Sequence, residues 1–278
     1  MPSDHFPDPK PSTSAGRAAR RASRRLRTTG ALVLVGALTV CTTSAAAAVS
    51  AGERSAGAAA AVPLDGWDLI LPVDAAGGTS GDHAAILRPA APASPYLTRE
   101  PDGSLNFWAP SVGATTASSR HPRTELVGRD SWTVGTRKRT LAATVRIGQV
   151  PGSTRDVIVG QIHGAGEDGS VPLVMLHYDD GVVRVTVKDA ADRSTVHQLL
   201  TGVGLDTAFS YTLADNGNGT LTFTARVGAG NAVRKTVPVP AAYRGTRVRF
   251  AAGDYEQASE ALPYGDGGRV VVSRLAAG

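Results

Sequence analysis

The chain has 278 residues, one cysteine, 5% aromatics and a formal net charge of +5. Residues 1–61 hold eight Lys or Arg against three Asp or Glu, while residues 62–278 hold 21 of each sign, so the positive charge belongs to the N-terminal segment. The remainder is neutral overall, which removes the charge argument for a nucleic-acid partner, and with Cys41 as the only thiol no internal disulfide can form.

The first elements read as an export signal. Arg17, Arg20, Arg21, Arg24, Arg25 and Arg27 form a basic stretch, Ala31–Val40 is a short apolar run, and Val49-Ser50-Ala51 offers a cleavage site. That order of charge, apolar core and small residues is a secretory signal, and the apolar run is shorter than the ~20 residues a bilayer span needs. Residues 1–51 are therefore expected to be a leader carrying Cys41 away, and 52–61 an Ala/Gly-rich linker. Residues 62–278 are expected to form a single domain of a secreted protein, monomeric and off the membrane once the signal is removed. Arg24-Arg25 is a twin arginine, but Leu26-Arg27 after it fits the usual twin-arginine consensus poorly.

Beyond the linker, short β-branched segments follow one another: 141–147, 156–162, 173–178, 182–187, 211–213, 221–227, 247–252 and 269–274. Turn signals separate them, among them Asp179-Asp180-Gly181 and Asp215-Asn216-Gly217-Asn218-Gly219. No long segment carries a helical period. This pattern predicts an all-β fold, a sandwich or jelly roll.

Three segments, 123–127, 157–163 and 247–257, place polar groups on one face and apolar groups on the other, since residues i and i+2 of a strand share a face. Arg123 and Glu125 oppose Thr124 and Leu126. Gln161 and His163 oppose Ile158 and Ile162. Arg249, Tyr255 and Gln257 oppose Val248, Phe250 and Ala252. Taken one strand at a time, these are ordinary solvent-facing residues on half-buried strands; gathered on one sheet they would line a site for a polar ligand.

The segments His121–Leu126 (HPRTEL), Gly160–His163 (GQIH) and Phe250–Gln257 (FAAGDYEQ) resemble the three signature blocks of polysaccharide lyase family 7, the alginate lyases, in the family's order. Trp67–Pro72 and Leu105–Pro110 are similar to its opening segments, so the resemblance spans essentially all of 65–278. It implies a jelly-roll β-sandwich with a concave substrate groove and an acidic polysaccharide as partner. The implied reaction is β-elimination, with no metal or other cofactor, that leaves 4,5-unsaturated uronate ends. It places Arg123, Gln161, His163 and Tyr255 on the family's catalytic positions and Glu125 and Gln257 on supporting ones. Arg249 is a further candidate for holding substrate.

The chemistry asks for these residue types independently. Removing the weakly acidic C5 proton of a uronate requires donors that neutralise the adjacent carboxylate, as Arg123 and Gln161 can. It also needs a base, for which His163 is the first candidate, and an acid for the departing O4, for which Tyr255 is suited. Glu125 reads as an orienting carboxylate for Arg123 or Arg249. The chain departs from the family pattern at Val127 and Ala251, which stand where cations are usual, and at Arg249, which stands where tyrosine is usual. The changes bear on substrate choice and leave glucuronan as an alternative; the resemblance, through Ile162 in the second block, implies alginate with guluronate-containing blocks. A glycoside hydrolase needs two carboxylates about 5–10 Å apart, and the one tempting pair, Glu125 and Glu256, is split because Glu256 alternates with Tyr255. A carbohydrate-binding module without catalysis is the remaining alternative.

Overall fold

The computed structural model describes residues 60–262 and 265–278. The leader expected over 1–51, its cleavage site, Cys41 and most of the linker lie outside the described residues. The strands, in chain order, are β1 (Trp67–Ile70), β2 (Ile86–Leu87), β3 (Leu97–Arg99), β4 (Leu105–Pro110), β5 (Arg123–Gly128), β6 (Trp132–Thr133), β7 (Lys138–Gln149) and β8 (Asp156–Gly164). They continue with β9 (Val174–Asp179), β10 (Val182–Ala190), β11 (Arg193–Leu200), β12 (Phe209–Asn216), β13 (Thr220–Val227), β14 (Val233–Pro238), β15 (Arg247–Glu256) and β16 (Gly267–Ala277). Two single-turn 3-10 helices, Gly166–Asp168 and Ala241–Tyr243, complete the described elements. None of the described helices is long and apolar enough to cross a membrane.

Strand pairing is antiparallel and divides the chain into two sheets. One has the order β11-β10-β9-β8-β15-β5-β1-β2, with β6 also paired to β15; the other runs β14-β13-β12-β7-β16-β4-β3. Strands distant in sequence lie side by side, as in β15 between β5 and β8, which is the jelly-roll arrangement the pattern of short strands predicts. The inner faces meet in one core. Leu69, Leu126, Ile162, Leu176 and Val248 of the nine-stranded sheet pack with Phe107, Leu141, Phe209, Leu213 and Phe223 of the seven-stranded one, each essentially without solvent exposure. Each such side chain contributes about 1.5–3 kcal/mol on burial, so the fold needs no disulfide.

The expected strands are present, most of them longer than the apolar runs that marked them. Strands β11 and β14 were not foreseen. Both are sheet edges whose side chains are largely exposed, so neither carries an alternating pattern. Pairing with an inner neighbour is what makes them strands.

One facing assignment is corrected. Ile158 does not share the inner face with Ile162. Strand β8 carries a bulge at Val159, since Ile158 pairs with His177 and Gly160 with Leu176. The extra residue reverses the alternation, so Ile158 aligns with His177 and Tyr255 on the outer face. The bulge is held from the opposite sheet, where Tyr211 donates a 2.7 Å hydrogen bond to the Val159 carbonyl. A Cβ on Gly160 would stand 2.6 Å from that tyrosine oxygen, so glycine is what admits the close approach.

Candidate active site

The outer face of the nine-stranded sheet carries a cleft of about 380 Å³. Its floor crosses the strands, from Ile86 on β2 through Ile70 (β1), Val127 (β5), Ala251 (β15) and Gln161 (β8) to Met175 on β9. Thr116, Ala117 and Ser118 from one loop and Gly169, Ser170 and Pro172 from another also line it. All seven residues singled out in the sequence line this cleft: Arg123, Glu125, Gln161, His163, Arg249, Tyr255 and Gln257. The loop 164–170 contributes to its wall through Gly169 and Ser170.

Register brings the polar groups together. Tyr255 lies opposite Arg123, Gly253 opposite Glu125, Ala251 opposite Gln161, and Arg249 opposite His163. Gly253, at φ +148°, sits so tightly that a Cβ would meet the Thr124 carbonyl at 2.6 Å. The even-numbered residues of β15 point inward as expected, and Glu256 is fully buried on the core side, away from Tyr255.

Glu125 organises the centre. It is 1% exposed and accepts from Arg123 Nη1 at 3.0 Å and from Gln161 Nε2 at 2.5 Å. The expected partnership with Arg123 is therefore present; the link to Gln161 was not foreseen. One carboxylate thus fixes two donors, and it accepts from the amide nitrogen of Gln161, which settles the side chain's orientation. The Arg123 guanidinium lies over the Tyr255 ring, 3.5 Å from its centroid. Ser119, from the loop before β5, is 3.0 Å from the Tyr255 hydroxyl and also accepts from Arg123 Nη2 at 3.0 Å. Nothing in the sequence marked Ser119, a serine in a polar loop.

His163 is placed as a neutral imidazole. Its Nδ1 lies 3.2 Å from the Gly164 carbonyl, which can only accept, so Nδ1 carries the hydrogen and Nε2 a lone pair. Burial lowers its pKa below the ordinary 6.5, opposed by the Gly164 hydrogen bond and by Glu125. Burial also lowers the pKa of Arg249, with Arg88 adding to the shift. His121, next to the first motif, has its pKa lowered by burial and then by Arg123; it stands edge-on to Tyr255 at 6.2 Å. Gln257 lines the cleft just past β15 and donates to the Glu256 carbonyl at 2.8 Å.

The cleft floor beside Gln161 is apolar. Ile70, Val127 and Ala251 form a small buried cluster there, separate from the main core. The cationic positions of the family pattern are thus replaced by packed hydrocarbon. A larger cavity of about 670 Å³ against the seven-stranded sheet is lined mainly by Ala, Ser and Thr, with Arg226 and Arg274 as its charged groups, and offers no carboxylate or histidine.

A family model described as alginate lyase matches residues 62–278. Among curated proteins none matches. Of solved structures, the chain is similar to alginate lyase A1-II′, described as a member of polysaccharide lyase family 7, at 25% identity and a TM-score of 0.65, covering 78% of this chain and 96% of that one. It is similar to an alginate lyase from Pseudomonas aeruginosa at 30% identity and a TM-score of 0.63, covering 78% and 99%. A variant of A1-II′ solved in complex with a product, GGG, matches at 25% identity and a TM-score of 0.64, covering 79% and 99%. With the jelly-roll fold, the cleft and the family match extending over residues 62–278, the chain belongs to the alginate lyase family and is a polysaccharide lyase.

Proposed function

We propose that this lyase is secreted and cleaves alginate, favouring guluronate-containing blocks, by metal-independent β-elimination, with Arg123, Gln161, His163 and Tyr255 as the catalytic residues. The observation that carries the reading is the single buried carboxylate, Glu125, holding Arg123 and Gln161 in one cleft with His163 and Tyr255.

Arg123 and the free N–H of Gln161 meet the carboxylate of the uronate to be cleaved and stabilise the charge that builds on it as C5 loses its proton. Both Glu125 oxygens accept from these donors, so its role is to orient Arg123 and Gln161. The proton on C5 passes to His163 Nε2 when it lies opposite the leaving group; when it lies on the same side, Tyr255 takes it as the phenolate and hands that same proton on to O4. The C5–H electrons form the C4–C5 double bond, the C4–O4 bond breaks, and Tyr255 delivers a proton to O4. Arg249 and Gln257 hold neighbouring units. Export rests on the basic, apolar and small-residue order of residues 17–51.

Residues 62–278 incubated with polyguluronate, polymannuronate, mixed alginate, glucuronan and a neutral glucan would be followed by the ultraviolet absorbance of the conjugated double bond. The expected result is a rise on guluronate-containing alginate that is unaffected by EDTA and vanishes in Tyr255→Phe. A rise on glucuronan alone would reassign the substrate, consistent with the apolar cluster at Val127 and Ala251. Loss of the rise in EDTA would refute metal independence. Sequencing the N-terminus of protein recovered from culture medium tests export; retention of the full chain inside the cell would refute it.

A further inference from the structure

The Ser119 hydroxyl lies within hydrogen-bonding distance of four groups: Arg123 Nη2 at 3.0 Å, the Tyr255 hydroxyl at 3.0 Å, the His121 carbonyl at 2.8 Å and the His121 N–H at 3.2 Å. A serine hydroxyl has one proton and two acceptor lone pairs. Arg123 Nη2 and the His121 N–H can only donate, so together they occupy both lone pairs. The tyrosine hydroxyl then finds no acceptor on Ser119. Its own proton must point elsewhere, and the open direction is the cleft that Tyr255 lines. The one proton of Ser119 is left to choose between two acceptors, the His121 carbonyl and the Tyr255 oxygen.

We infer that Ser119 is a positioning residue for the elimination: its filled lone pairs aim the Tyr255 proton at the leaving oxygen, and its own proton turns to the Tyr255 oxygen as that oxygen becomes negative. This rests on the reading of Tyr255 as the group that protonates O4. In the step, the Tyr255 O–H bond breaks and its proton goes to O4 as the C4–O4 bond breaks. The electron pair stays on the phenolic oxygen. Ser119 keeps its proton and only rotates it, from the His121 carbonyl to that oxygen. The proton taken by His163 returns to Tyr255 through solvent, so the cycle closes with no other reactant. Donation by Arg123 to the same hydroxyl polarises it, and its guanidinium, 3.5 Å from the ring centroid, faces the charge that forms. His121 also faces Tyr255, edge-on from the preceding loop.

The expected effect is on turnover, because the tyrosine oxygen is negative only along the reaction path. With mixed alginate as substrate, Ser119→Ala should lower kcat by about 100-fold, the lower end of the range for losing one preorganised donor, with KM within about twofold. Ser119→Thr, which keeps the hydroxyl, should recover most of the loss. The kcat–pH profile should shift in Ser119→Ala and return to the parent profile in Ser119→Thr. Ser119 sits in a partly exposed loop, and equal melting temperatures would show that the variants fold. An unchanged kcat, a loss carried entirely by KM, or a threonine variant as poor as alanine would each overturn the inference. Tyr255→Phe, run alongside, separates the two levels. If it retains turnover, the role of Tyr255 fails and that of Ser119 with it. If it is inactive while Ser119→Ala is unaffected, only the inference about Ser119 fails.

Discussion

Glu125 accepts a 2.5 Å hydrogen bond from Gln161, a residue 36 positions away on a strand that is not its neighbour in the sheet. Strand β15 runs between them, and at the level of Glu125 it presents Gly253, so no side chain blocks the reach across it. The same carboxylate holds Arg123 at 3.0 Å. A fully buried charge is tolerable only when paired and hydrogen-bonded, and here the pairing fixes both groups assigned to the substrate carboxylate.

Glu125→Gln would keep the shape and remove the charge. One of its two partners would then face an amide N–H instead of an acceptor, so Arg123 and Gln161 could not both stay in place. Turnover on alginate is expected to fall by about 100-fold, the scale of losing oriented donors in a transition state. Steady-state kinetics of the variant check this; a change below about threefold would mean that Glu125 is only a packing residue.

His163 sets the acid limb. Its pKa lies below 6.5 because burial disfavours the imidazolium, so the base form persists into mildly acidic solution and activity falls only as pH drops through that lowered value. His163→Asn should abolish turnover wherever this residue takes the C5 proton while leaving binding of mixed alginate largely intact. The kcat–pH profile and equilibrium binding of the polymer read the two effects separately. The same shift affects stability. The folded state binds this proton less readily than the unfolded chain, so stability is full above about pH 6.5 and declines as pH falls through the lowered pKa.

Glu256 makes stability depend on pH in the opposite direction. Burial raises its pKa to about 8, despite a 2.8 Å hydrogen bond from the Ala258 N–H. Its Oε1 has no hydrogen-bond partner, the nearest cation-forming group being His121 Nδ1 at 3.8 Å. A raised carboxyl favours folding below its unfolded value, and that contribution is lost as pH rises through about 8. Glu256→Gln should therefore reduce the loss of stability on going from pH 6 to pH 9, by about 1–3 kcal/mol on the scale of an uncompensated buried polar group. Urea midpoints at the two pH values measure it; an unchanged difference would place the titration elsewhere, with Asp254 next in line because burial raises it too.

Tyr211 links the far sheet to the catalytic strand. Tyr211→Phe leaves the Val159 carbonyl without its donor, at about 1–3 kcal/mol. Because the bulge at Val159 sets which way Ile158 and Tyr255 face one another, turnover is expected to fall as well. Gly160→Ala should be worse, since its Cβ would also lie 2.9 Å from two ring carbons of Tyr211. Thermal melting with activity at saturating substrate tests both, and a neutral Gly160→Ala would show that the bulge yields.

Ala251→Lys would put a cation beside Gln161 where the floor is now apolar. Affinity for a polyuronate is expected to rise and to become more sensitive to salt, since the gain is electrostatic. KM at low and high ionic strength checks it. No gain at low salt would mean that the polymer does not pass over this part of the floor.

Much of this protein is written locally in its chain. Alternation marks the inner strands, because one side of each must be apolar to meet the other sheet. Three short motifs mark the cleft, because Arg123, Gln161, His163 and Tyr255 each sit at an outward position of a patterned strand. The inward turn of Glu256 followed from that same alternation. What alternation does not carry is anything set by an inserted residue or by a contact across strands. The bulge at Val159 reversed the facing of Ile158. Edge strands β11 and β14 have no buried side to pattern them. The bond of Glu125 to Gln161 and the contact of Ser119 with Tyr255, 136 residues apart, depend on which strands and loops become neighbours. A side chain's face is decided by its own strand's period and is legible from sequence; its partner is decided by register between strands distant in sequence, which exists only once the sheets have formed.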